Sequence, residues 1–147
     1  MDYDHKDFGL DAYVDGKFEA FGLEHELILG ANGSRGTQDD VYAIQNLPKF
    51  GAAFGATYRK QGEAFGRVVG EEIFTRYGAD LEIFVEKRFG DSFTIRAVGS
   101  NLLDSTKDEV FNKFATTGDQ VSRDFDEYEI ESERAGPVFQ LVARYAF

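Results

Sequence analysis

The sequence has no cysteine, two prolines, two histidines and no apolar run long enough to cross a bilayer as a helix. Each shortage closes off a class of protein. Without cysteine there is no disulfide scaffold, no thiolate zinc or iron–sulfur site and no cysteine nucleophile. A membrane-spanning helix needs about 18 or more continuous apolar residues, and mean hydropathy is only −0.38, so a helical membrane protein is excluded. Basic charge is also short: 16 Lys and Arg face 27 Asp and Glu, a net charge of −11. An acidic surface of that size repels phosphate backbones, which argues against a nucleic-acid partner. His5 and His25 stand too far apart for a helical metal pair, and the glycines of 30–36 lack the Lys-Ser/Thr of a phosphate loop. No catalytic residue, metal site or cofactor is expected. Residues 1–7 lack the positive start and apolar core of a secretory signal, so the chain is expected to be mature, cytosolic or a piece of a longer protein.

Glycine (16) and phenylalanine (15) are plentiful, and aromatic residues with glycine-rich breaks favour strands and turns. Phe, Leu, Ile and Val make up roughly a quarter of the 147 residues, too much for a disordered polyanion. The length suits one domain.

Period-two alternation marks the strands. Phe8, Leu10, Ala12 and Val14 share a face over 7–15, and 16–20 reads as a short connection. Over 21–32, Phe21, Leu23, Leu27 and Leu29 oppose Glu24 and Glu26, with His25 interrupting the apolar side. A turn cluster at 31–36 precedes a weaker strand at 39–46, and Pro48 breaks the chain. Phe50, Ala52, Phe54, Ala56 and Tyr58 then share a face. After a polar stretch at 60–75, Leu81, Ile83 and Val85 oppose Asp80, Glu82, Glu86 and Arg88, and Phe93, Ile95 and Ala97 oppose Thr94, Arg96 and Val98. Keeping both apolar sets on one side requires an odd hairpin loop. Gly90-Asp91-Ser92 supplies it and sets Glu86 across from Arg96. The last strand, 138–147, places Phe139, Leu141, Ala143, Tyr145 and Phe147 on one face and Gln140 and Arg144 on the other. Between these, 104–133 carries ten acids and three bases and reads as a long solvated loop with room for a hairpin extension at Tyr128 and Ile130. Its sharper reading is cation binding by Asp126, Glu127 and Glu129. The fold class is all-β, an antiparallel meander of about seven strands.

Alternation does not say whether the apolar face meets a soluble core or lipid. Charged polar faces suit a wide watery lumen, and the chain ends on Phe147. A terminal strand of alternating apolar residues closing in Phe is similar to the assembly signal of outer-membrane β-barrels. Gly99-Ser100-Asn101-Leu102-Leu103-Asp104, ahead of a long loop and the last strand, resembles the "NLxD" signature of TonB-dependent receptors. Residues 21–27 and 77–90 resemble strands of the same barrels. The resemblance implies a large plugged barrel importing scarce nutrients such as siderophores, of which 1–147 is the C-terminal part, with plug and upstream strands missing. It implies outer-membrane location, lipid and the barrel-assembly machinery as partners, contact with the TonB complex only through the missing N-terminal part, and a small-molecule substrate it does not name. Phe139, Leu141, Tyr145 and Phe147 then serve membrane facing and assembly, and Glu24, Glu26, Glu82, Glu86, Arg96 and Arg144 face the lumen. The short links near Gly16, Pro48 and Gly90 become periplasmic turns, and 104–133 becomes the last extracellular loop. Two alternatives stay open. A complete eight-stranded barrel needs an eighth lipid-facing strand from 124–133, and a soluble lipocalin-like binding protein turns its apolar faces inward.

Overall fold

The computed structural model describes residues 9–34 and 38–147. Phe8, His5 and the 35–36 part of the turn cluster lie outside the described residues. Seven antiparallel strands form one sheet: β1 (Gly9–Ala20), β2 (Leu23–Ser34), β3 (Gln38–Leu47), β4 (Ala52–Gln61), β7 (Ala79–Phe89), β8 (Phe93–Ser100) and β11 (Val138–Tyr145), adjacent in that order. The seven expected strands are these seven. Four more make a second antiparallel sheet, ordered β10 (Glu127–Arg134), β9 (Thr106–Lys113), β6 (Glu71–Tyr77) and β5 (Ala64–Val68), with a short helix α1 (Thr117–Ser122) between β9 and β10.

Local chemistry explains the turns. The β1–β2 hairpin closes on Phe21 (φ 55°) and Gly22 (φ 72°), the two left-handed residues that a type I′ turn requires. This corrects the expected connection at 16–20: β1 runs on through Gly16 to Ala20. Pro48–Phe50 forms one 3-10 turn, closed by the Gly51 N–H donating to Pro48 O at 2.9 Å. Phe89 pairs with Phe93 around the three-residue loop, so Glu86 lies across from Arg96 as the odd-loop rule requires. The last strand stops at Tyr145, two residues short of the expected end.

Cross-strand pairing sorts the seven-stranded sheet into two faces. Leu10, Val14, Leu27, Leu29, Val41, Phe54, Tyr58, Leu81, Ile83, Val85, Ile95, Phe139 and Leu141 fall on one. Among the described residues, Phe114 is the one buried hydrophobic, while Phe139 is 78% and Leu141 74% exposed. A soluble barrel would bury this face, so the structure does not favour the lipocalin-like alternative. The opposite face is polar, with two aromatic rings laid across glycines. A side chain at Gly30 would collide with the Tyr42 ring, and a Cβ at Gly55 would come within 2.7 Å of Phe84. Glycine here lets a ring lie flat along the strand, so the polar face has a smooth middle layer. β1 and β11 sit at opposite edges of the sheet, which does not close on itself; an all-β partial barrel is what results.

The second sheet corrects the reading of 104–133 as a long loop. The segment is a hairpin, β9 with β10, and it includes the extension at Tyr128 and Ile130. Its strand β9 pairs with β6, not with the seven-stranded sheet, so 124–133 supplies no eighth barrel strand. The two sheets share one order: β5-β6-β9-β10 repeats β4-β7-β8-β11, because each strand of the second continues a strand of the first. The break falls at the same height in all four, at 62–63, 78, 101–105 and 135–137, forming a transverse crease.

Candidate functional site

The polar face of the seven-stranded sheet is layered. Near the hairpin end, Lys17 pairs with Glu26 at 2.5 Å and Arg96 lies 3.7 Å from Glu86, across the sheet from one another. Arg96 also covers the Phe84 ring, 4.1 Å from its centroid. Above this come the Tyr42 and Phe84 rings. Next to the crease, Arg59 donates through Nε to Asp40 at 3.0 Å, Gln38 donates to the other Asp40 oxygen at 2.7 Å, and Asp80 stands opposite Arg59. Glu24, Glu26, Glu82, Glu86, Arg96 and Arg144 all lie on this face, opposite Glu19, Lys17, Thr57, Ala53, Val142 and Thr94. The Asp40–Arg59–Asp80 layer escaped the sequence reading, since 39–46 alternates weakly. Only the register with β4 reveals it.

The Asn101-Leu102-Leu103-Asp104 segment builds the crease. Asn101 (φ 52°) and Asp104 (φ 53°) both adopt the left-handed region, tolerated by Asn and Asp because their short polar side chains bond locally. The Asn101 N–H donates to Asp80 Oδ1 (2.8 Å), its Nδ2 donates to Gly136 O (2.9 Å), and its Oδ1 accepts from Ser105 N–H (2.9 Å) and Oγ (2.8 Å). One residue thus joins three chain segments, its backbone N–H reaching Asp80 and its side chain Gly136 and Ser105. Asp104 receives Arg134 on one oxygen, and its Oδ1 is buried without a hydrogen-bond partner. Leu102 turns to the apolar face beside Phe139 and Ile83. A cleft of about 570 Å³ opens at the crease, lined by Arg59 and Asp80 below and by Tyr77, Lys107 and Arg134 above.

On the apolar face, Phe139, Leu141 and Tyr145 line up in β11, and Phe147 lies beyond it with its ring 5.3 Å from Tyr145, edge-on. His25 is the polar member near the hairpin end. It stacks on Phe18 (5.0 Å), accepts from Gln45 at Nδ1 (2.7 Å) and donates from Nε2 to Ala20 O (3.2 Å). Both nitrogens are used, which accounts for a polar ring on this side without any chemistry.

In the second sheet, Glu71, Glu109, Glu127, Glu129, Glu131 and Glu133 share a face with Lys107 and Lys113. Lys113 donates to Glu129 (2.7 Å) and Glu127 (3.3 Å), and Lys107 lies 3.1 Å from Glu109. Hydrogen bonds to these carboxylates raise both lysines above the ordinary lysine range. Glu127 and Glu129 therefore already share a cation of the chain's own.

Comparison with known proteins brings these observations together. Over 48 residues the chain is 62% identical to the ferric-pyoverdine M114 receptor PbuA of Pseudomonas sp. (strain M114). Over that stretch the chain is similar to a TonB-dependent receptor. The matched stretch is 33% of this chain and 6% of that receptor, so this chain corresponds to a small part of its relative's length. No family model matches, and no solved structure matches significantly. An all-β sheet that is apolar on one side is compatible with part of an outer-membrane barrel; among the described residues no helix is long and apolar enough to cross a membrane.

Proposed function

We propose that this chain is the C-terminal wall of an outer-membrane TonB-dependent receptor that imports a ferric siderophore of the pyoverdine kind. The observation that carries the reading is the segregation of the seven-stranded sheet. Its strands of 8–12 residues match the length of tilted membrane strands, with an exposed apolar side for lipid and a charged, glycine-smoothed side for a watery lumen. The free edges of β1 and β11 call for upstream strands, because unpaired backbone groups in hydrocarbon cost several kcal/mol each. The ends at 21–22, 48–50, 90–92 and Phe147 then face the periplasm, and the second sheet rises outside the cell. Phe139, Leu141, Tyr145 and Phe147 present the strand read by the barrel-assembly machinery. Glu24, Glu26, Glu82, Glu86, Arg96 and Arg144 face the lumen, where a plug contacted by the TonB complex would sit. Asn101 to Asp104 hold the rim. The small molecule passes this wall; no residue of it is assigned to recognition.

The test is radioiron uptake from ferric pyoverdine by iron-starved cells lacking and then regaining the full-length gene. TonB-dependent uptake restored by the gene is expected. Unchanged uptake in the deleted strain would overturn the substrate, and recovery of the product in the soluble fraction would overturn the membrane assignment.

A further inference from the structure

Two excursions leave the seven-stranded sheet on the same side, residues 62–78 and 101–137, and surface loops ordinarily move independently. Here they do not make separate loops. Their strands share a ladder in which β6 and β9 pair from Glu71 with Lys113 to Tyr77 with Lys107. At the far end, away from the crease, the second excursion closes over the tip of the first. Buried Gln120 of α1 donates to Val68 O (2.7 Å) and Glu71 O (3.3 Å) and accepts from the Gly70 N–H (3.2 Å). The N–H of buried Phe114 donates to Gly70 O at 2.8 Å.

The decisive group is Glu72, whose side chain is 1% exposed. A carboxylate withdrawn from water that far is costly unless cations and hydrogen bonds replace the solvent. Two arginines do so from different excursions. Arg67 of β5 donates through Nε to Oε1 at 2.8 Å, and Arg123 lies 3.5 Å from Oε2. Arg123 is the C-cap of α1, held at φ 61°, so the helix end exists in a form that delivers this side chain to the other hairpin.

The near end is built differently. The strand ladders of the two sheets are interrupted at the crease, where Asn101, Asp104 and Gly136 have positive φ. The cleft there is lined from both sheets, so its volume depends on the angle between them.

We propose that the two excursions form a single panel, clasped at its far end through Glu72 and jointed at the crease, which tilts as one body over the Asp40–Arg59–Asp80 layer. Local stability within a protein follows such cooperative units, so damage to the clasp from one excursion must be felt in the other.

Hydrogen exchange on the full-length protein in detergent tests this. R123A, a change in the second excursion, is expected to speed exchange of the β5 amides and the 69–70 turn of the first by roughly tenfold, with β7 and β8 unchanged. R67A should conversely expose the amides of α1. Acceleration confined to the excursion carrying the change would overturn the proposal. Should R123A fail to fold, spin labels in the otherwise wild-type protein decide. The chain brings no cysteine of its own, so labels go in by A64C with E131C, across the panel, and K60C with E131C, across the crease. A narrow distance distribution is expected for the first pair and a broader one for the second. Equal breadth in both would overturn the proposal.

Discussion

Placing an arginine at Leu141 and, separately, at Gln140 tests the face assignment at adjacent residues of one strand. Leu141 is 74% exposed on the apolar face opposite Ala97, and Gln140 lies on the polar face opposite Val98. From Tyr145, with its aromatic neighbours Phe93 and Phe147, Leu141 is four residues along the strand. At about 3.3 Å per residue and a tilt of about 40°, that is roughly 10 Å of height. An apolar band about 25 Å tall puts Leu141 near the bilayer midplane. Arginine there costs about 2–4 kcal/mol, roughly a 30- to 900-fold loss in the folding equilibrium at 1.36 kcal/mol per decade. Gln140→Arg leaves the charge in the watery interior, where the change is within about 0.5 kcal/mol, as for other solvated surface positions. The assay is reversible urea unfolding of the full-length protein in lipid vesicles, with surface level in cells as a second readout. Equal costs at the two positions, or a larger one at Gln140, would refute the sidedness from which the rest of the interpretation follows.

Three further outcomes are expected. Gly30→Ala should destabilise by about 1–3 kcal/mol, the range for an overfilled packed site, because the new methyl meets the Tyr42 ring; adding Tyr42→Ala should recover part of it in the same unfolding assay. Asn101→Ala loses its side-chain bonds to Gly136 and Ser105, each worth about 1 kcal/mol, and strains a left-handed position. Asn101→Gly loses the same side-chain bonds but not the left-handed conformation, which glycine adopts freely, so a thermal melt of N101G should lie between wild type and N101A, and coincident melts for the two variants would argue against strain. Lys107 and Lys113 are raised above 10.5 by their glutamate bonds. A raised lysine stabilises fully below its unfolded value and loses that contribution as pH climbs through the folded one. The contribution of these lysines should therefore be full and constant between about pH 6 and 9 and be lost above about pH 10.5; after correction for the intrinsic pH dependence of exchange, β9 and β10 should keep their protection over the first range and lose part of it in the second, and protection already falling below about pH 9 would refute the assignment.

The seven strands of the large sheet, and the faces of all but 39–46, were legible because side-chain alternation is local. Leu81, Ile83 and Val85 declare their side wherever the strand ends up, and the parity of the 90–92 loop determines that Glu86 meets Arg96. The β1–β2 turn was hidden because Phe21 takes a conformation usually given to Asn, Asp or Gly, while Gly16, the apparent break, sits in the middle of a strand. The panel was hidden for another reason. Its strands carry charge on one face and a mixture on the other, so alternation names no buried side, and β6 finds β9 across the intervening residues 78–105.

The sequence alone determined which side chains share a face, since that depends only on the two-residue period of an extended chain. Which strand lies beside which, beyond adjacent hairpins, was decided by tertiary structure. Glu72 shows the difference: in sequence it is one of two neighbouring glutamates, and in the fold it is the buried anion that two arginines from separate excursions converge on. Burial of that charge is a property of the assembled sheet, because only there are both guanidiniums present to replace the water it gives up.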